Sequence, residues 1–218
     1  MSKTKNEKES LSGAALVRRE AFDWVETFAG ALFLVVLIFT FLFRFVTVDG
    51  DSMRETLHDG DRLVITSLPY TPARGDIVVV HDPDDPLFTG PIIKRVIATA
   101  GETVRVDYEN RTIYVTGLDG ETRALDESGY AKYIDRRSGA ETAFTAVPNP
   151  AYYPASVRPN AEHTVADGCV FVCGDNRNNS LDSRYVGDID ARKVLGKVLV
   201  RVTPLSQIGA VDHVHFDN

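Results

Sequence analysis

The sequence predicts a mostly β protein preceded by one membrane-spanning helix. Three observations carry this. A single long uncharged run lies near the N-terminus. Short Val/Ile-rich segments bounded by Gly, Pro, Asp or Asn fill the chain after residue 48. No amphipathic period of a dozen residues interrupts them. The averages alone hide this division. The chain has 218 residues, 44% hydrophobic and 25% charged, with a net charge of -7. Such values exclude collagen, a coiled-coil rod, a multipass membrane protein and a wholly disordered chain. The acidic balance argues against a nucleic-acid-coating protein, and no nucleic-acid partner is expected.

The uncharged run is Thr27 to Phe43, seventeen residues between Glu26 and Arg44. Seventeen residues is the short end of what crosses a hydrocarbon core about 30 Å thick. A buried core helix is the alternative, but no face of this run is polar. A cleaved secretory leader is the other, but no small-x-small cleavage site follows. An uncleaved signal anchor fits best. Lys3, Lys5, Lys8, Arg18 and Arg19 precede it and Arg44 alone follows closely, which orients the N-terminus to the cytoplasm. The expected organisation is a cytoplasmic tail over 1–22, an anchor over 23–46 and an extracytoplasmic β-rich domain over 47–218. That makes a single-pass protein of the plasma membrane, in contact with lipid.

Beyond the anchor the expected strands are Arg62–Ile65, Asp76–Val80, Ile92–Ala98, Thr103–Tyr108, Thr112–Val115, Gly168–Cys173 and Leu195–Val202. The fourth and fifth alternate well enough to form a hairpin. Residues 117–166 are rich in Pro, Gly and charge, with Pro148, Pro150, Pro154 and Pro159 close together, and read as loop or a small inserted subdomain. Cys169 and Cys173 lie four apart in one strand, about 13 Å, too far for a disulfide. They read as structural thiols.

Three segments could carry chemistry. In GDSMRETL, Ser52 follows a Gly-Asp turn; most such serines cap a turn, and a few are nucleophiles. It stands eight residues past Arg44 and so within about 27 Å of it, close to the outer membrane surface. In GPIIKRVI, Lys94 shares a strand face with Ile92 and Val96. Desolvation there lowers a lysine pKa toward the range of a general base, though the commoner fate of such a lysine is to snorkel to water. In GDNRNNSLDSRYVG, Asp175, Ser180, Asp182 and Arg184 crowd a loop after a buried strand. The EF-hand pattern fails, because Arg177 falls on a ligand position and the glycine and closing Glu are missing. Such a loop more often braces a site with internal hydrogen bonds than binds a metal.

In order, GDSM-x-x-TL, RGDIVVV with IIKRVI, and GDNR-x-x-S-x-DSR-x-x-G resemble the signature of type I signal peptidases, bacterial membrane-bound Ser–Lys proteases. The resemblance runs from about Trp24 through Ile208. It implies an antiparallel β catalytic domain with an inserted smaller β region at about 107–166. It implies Ser52 as nucleophile and Lys94 as general base. Ser180 resembles the serine that orients the lysine ammonium. Asp182 and Arg184 resemble a pair beside it. Asp175 resembles an acid paired with a basic side chain, for which Arg95 is the candidate. Met53 resembles the methionine that packs next to the nucleophile. The implied substrates are exported preproteins with small residues at positions -1 and -3, and the expectation is a monomer without cofactor or metal.

Two departures stand out. Some members carry a second hydroxyl oxyanion donor two residues before the nucleophile, where this chain has Gly50, and many have proline where it has Glu55. The competing readings are a Ser–His protease using His58 or His81, and an inactive membrane-anchored export scaffold. A self-cleaving Ser–Lys repressor would carry a DNA-binding domain in place of the anchor.

Overall fold

The computed structural model describes residues 13–54, 56–66, 68–135, 138–143, 151–152, 155–214 and 216. Glu55, Pro148, Pro150 and Pro154 lie outside the described residues. The chain divides into two compact units, Met1–Leu42 and Phe43–Asn218.

The first unit holds α1, Gly13–Leu42. Its stretch Val17–Leu42 has a mean hydropathy of 2.3 and buries none of its apolar side chains within the structure. Trp24, Phe28 and Phe33 are all exposed. At 1.5 Å per residue, 26 residues span about 39 Å, enough for a hydrocarbon core. The helix begins ahead of the expected anchor range of 23–46 and ends sooner, at Leu42. Residues Phe43–Thr47 instead form a strand, β1. In FRFVT, the Val and Thr branches favour extended backbone, and β1 has a full antiparallel partner.

The second unit is two sheets. The larger comprises β1, β2 (Arg62–Thr66), β3 (Ile77–Val80), β4 (Ile92–Thr99), β9 (Cys169–Cys173), β10 (Ile189–Asp190), β11 (Val194–Thr203) and β12 (Gly209–Ala210). Its order is β1-β2-β11-β3-β4-β9-β10, with β12 on β11. The smaller comprises β5 (Thr103–Asp107), β6 (Thr112–Thr116), β7 (Thr122–Ala124) and β8 (Glu162–Thr164), in the order β7-β6-β5-β8. Every pairing between these strands is antiparallel. This is the smaller β region beside the catalytic sheet that the resemblance implied, but it begins at β5, from Thr103, ahead of the expected start at about 107. A short helix, α2 (Ser183–Val186), follows β9. Each of the seven expected strands is present to within two residues at its ends, and β5 and β6 form the expected hairpin.

Three apolar clusters fill this unit. One packs the smaller sheet against Ile97 and Phe171. A second holds Met53 and Leu57 against Leu63, Ile65, Ile77, Ile93 and Val198. A third lies on the other face of β3 and β4, with Val78, Val80, Val96 and Val172. β11 is long enough to pair with β3 in its first half and β2 in its second. Where it changes partner, His213 fills the gap. Its Nδ1 accepts from Ile77 N at 3.0 Å and its Nε2 lies 2.8 Å from Val198 O. Both cysteines are free, Cys173 buried and Cys169 half-buried, as the strand spacing requires.

Candidate active site

Ser52 sits in a turn that Gly50 opens. Gly50 has φ +86, which disfavours a side chain there, and its N–H donates to Asp59 Oδ1 at 2.8 Å. The turn closes with Thr56 N and Leu57 N donating to Met53 O at 2.9 and 2.8 Å. Met53 and Leu57 are buried in the second cluster and anchor it, and Ser52 is left half-buried.

Lys94 comes from the middle of β4, opposite Val78 of β3. It is 3% exposed, and its Nζ lies 2.7 Å from Ser52 Oγ and donates to Ile93 O at 2.9 Å. It does not snorkel. Burial lowers its pKa to about 8, with the Arg184 charge acting the same way and Asp182 and Asp175 opposing.

The neighbouring Arg95 is also buried, and Asp175 takes its Nε and Nη2 at 2.9 and 2.8 Å. Asp175 Oδ2 also accepts from Thr56 Oγ1 at 2.5 Å. Thr56 therefore ties the Ser52 turn to the Arg95–Asp175 pair, a link between residues 119 apart that no local pattern in the sequence announces. Its only mark in the sequence is the Thr-Leu ending of the first motif. The next residue, Asn176, straps the same turn: its N–H donates to Ser52 O at 3.0 Å and its Nδ2 to Asp51 O at 3.2 Å.

Asp182 and Arg184 form a second buried bidentate pair, with both contacts at 2.8 Å. Burial alone would raise the Asp182 carboxyl. The Arg184 charge, the hydrogen bonds from Arg184 and Gly174 N, and the nearby Ser180 hydroxyl outweigh it and hold the carboxyl low. Asp182 also caps α2 through Arg184 N.

Ser180 departs from its expected role. Its hydroxyl is close enough to Asp182 to lower that pKa, yet among the described residues it makes no well-aligned hydrogen bond, to Lys94 or otherwise. Lys94 Nζ is already engaged by Ser52 Oγ and Ile93 O. Ser180 does line the site: a Cβ at Gly174 would collide with the Ser180 side chain and with Ser52 O.

The site thus joins a hydroxyl, an amine of lowered basicity and a floor of buried ion pairs. Such an arrangement can transfer the Ser52 proton to Lys94 and make the serine nucleophilic. This is the chemistry of a serine hydrolase with a lysine base. The family model "Signal peptidase, peptidase S26" matches residues 21–203. The chain is 35% identical over 196 residues to "Probable signal peptidase I-2" of Synechocystis, covering 85% of this chain and 76% of that one. It is 30% identical over 194 residues to "Signal peptidase IB" of Staphylococcus aureus, covering 88% and 94%. Among solved structures, a signal peptidase I from Enterococcus faecalis matches with a TM-score of 0.38 and 28% identity, covering 59% of this chain and 97% of that one. The chain belongs to the signal peptidase family, peptidase S26.

Proposed function

We propose that this chain is a membrane-anchored serine endopeptidase that removes signal peptides from exported preproteins, with Ser52 as nucleophile and Lys94 as general base. The observation that carries the reading is the 2.7 Å contact between Lys94 Nζ and Ser52 Oγ, made by a buried lysine. In its neutral form the amine accepts the Ser52 proton as Oγ attacks the scissile carbonyl carbon. The resulting ammonium then protonates the departing amine and leaves an acyl-enzyme. Lys94, neutral again, takes a proton from the water that attacks the ester, and the ammonium returns it to Ser52 Oγ as the acid leaves.

No third acid is needed, because a lysine has no tautomer to fix. The Ser52 N–H is the proposed first oxyanion donor. With φ +86 at Gly50, a hydroxyl-bearing residue there would be strained, so the second donor comes from elsewhere. Asp175–Arg95 and Asp182–Arg184 brace the site and set the field around Lys94. Met53 holds the turn by burial.

The apolar α1 supports the anchor, and the cation count ahead of it supports a cytoplasmic N-terminus and an extracytoplasmic domain. A site tethered near the membrane surface meets peptide bonds just beyond an apolar leader. The relatives' names and the motif resemblance support preproteins with small -1 and -3 residues as substrates.

The test is cleavage of an exported precursor by purified full-length enzyme. Ser52→Ala and Lys94→Ala should each lower kcat at least about a thousandfold while the protein stays folded. His81→Ala should be nearly silent. Near-normal turnover by Lys94→Ala, or a large loss in His81→Ala, would overturn the dyad.

A further inference from the structure

The segment between β7 and β8 reaches the back of the site through residues 127–132. Tyr130 lays its ring over the Arg95 guanidinium, with Cζ 4.3 Å from the ring centroid. Arg177 Cζ lies 5.9 Å from the same centroid. The Tyr130 hydroxyl donates to Glu127 Oε1 at 2.8 Å, and the Glu127 carboxylate takes both Arg177 Nη1, at 2.7 Å, and Nη2. Lys132 N donates to Asp175 O at 2.8 Å, and Lys132 O accepts from Arg177 N at 2.7 Å. Tyr130, Glu127, Arg95, Arg177 and Asp175 are all buried.

One aromatic ring therefore stands between two buried ion pairs, Arg95–Asp175 and Arg177–Glu127. The first pair holds the nucleophile turn through Thr56 Oγ1. Asn176, between Asp175 and Arg177 of the third motif, holds Ser52 O and Asp51 O. A tyrosine that merely filled the core would need only its hydroxyl partner. That leaves unexplained why its face covers the arginine paired to Asp175, in a place where water is excluded and a cation–π contact is among the stronger of its kind. Beside both Tyr130 and Arg95 is a cavity of about 500 Å³, lined also by Thr56, Arg201, Val211 and Val214 among others. Removing the ring widens that cavity at the arginine it already touches.

We propose that Tyr130 is a positioning residue for catalysis: its ring fixes Arg95 on Asp175 and so holds the 174–177 loop against the Ser52 turn. The inference rests on Ser52 and Lys94 as the reacting pair. Loss of the ring admits water to Arg95 and loosens its hold on Asp175. Better solvation and a less neutralised Asp175 both favour charged Lys94, so the base becomes harder to deprotonate.

The test uses full-length enzyme in detergent micelles with a precursor substrate. Tyr130→Leu keeps apolar volume and loses the ring and hydroxyl. It should lower kcat about 10- to 100-fold, leave KM within about threefold and move the alkaline rise of kcat/KM to higher pH. Tyr130→Phe keeps the face over Arg95 and should stay within about threefold of the native enzyme. Should the leucine variant not fold, trifluorophenylalanine at position 130 is compared with phenylalanine there. The two share a shape, but fluorine drains the ring face, so kcat should fall with fluorination. A folded Tyr130→Leu enzyme with unchanged kcat and pH profile overturns the proposal, as do equal rates for the two phenylalanines. Turnover by Lys94→Ala, run in parallel, would overturn the dyad and this inference with it, whereas a silent Tyr130→Leu beside an inactive Lys94→Ala overturns the inference alone.

Discussion

At the scale of single residues, burial governs the behaviour of Lys94. Its pKa of about 8 in the folded chain lies below the ordinary 10.5. Between those values the unfolded chain binds a proton that the folded one does not, so stability rises with pH across that window. Below about 8 the buried ammonium carries a penalty of roughly 3 kcal/mol, which the rest of the fold must offset. The sequence already indicated this tension, because Ile92, Val96 and the flanking Ile93 leave a lysine no polar surroundings. Thr56 and Tyr130 were not legible in the same way. Each acts through a contact with a partner distant in sequence, and such pairings leave no local pattern. Gly174 gives a second test at this scale. A methyl group there meets the Ser180 side chain and the Ser52 carbonyl, and the latter is backbone that cannot rotate away. Gly174→Ala should therefore lower kcat about tenfold or more with a stability loss of only about 1–3 kcal/mol, read by kinetics and denaturant unfolding on one preparation. Native kcat in Gly174→Ala would mean that the turn does not press on this loop.

At the scale of elements, β4 delivers Lys94 and Arg95 to opposite faces because neighbouring strand residues alternate. The Lys94 amine reaches Ser52, and the Arg95 guanidinium reaches Asp175. The loop between β9 and α2 then supplies both acids. Asp182 does three jobs at once: it accepts from Gly174 N, caps α2 and pairs with Arg184. Asp182→Asn keeps the shape and removes the charge, which leaves Arg184 buried without its counter-ion. A loss of about 3–5 kcal/mol is expected in denaturant unfolding. The same change removes the largest influence that raises the Lys94 pKa, so the surviving enzyme should reach full activity at lower pH. That shift is opposite in sign to the one expected of Tyr130→Leu. The longer strands were readable from Val/Ile content and punctuation. β7, β8, β10 and β12 have two or three residues each and no alternation to see, so pairing partners alone create them. β1 was hidden differently: its Phe and Val continue the apolar character of the helix before it, and hydropathy cannot tell where one ends.

At the scale of the whole molecule, an average composition conceals two units with different solvents. Met1–Leu42 carries an uncovered apolar helix, and Phe43–Asn218 buries its own core in two sheets. The proposed division of labour is anchor and protease, and the inserted segment contributes a brace to the site rather than only a surface loop. The central claim is that a buried lysine, neutral near physiological pH, activates Ser52. The dependence of kcat/KM on pH tests it most directly, measured on full-length enzyme with a precursor substrate. A tenfold rise per pH unit at low pH that levels off near pH 8 is expected, with no such activity in Lys94→Ala. A rise that levels off near 6.5, the ordinary value of a histidine, and survives in Lys94→Ala would contradict it.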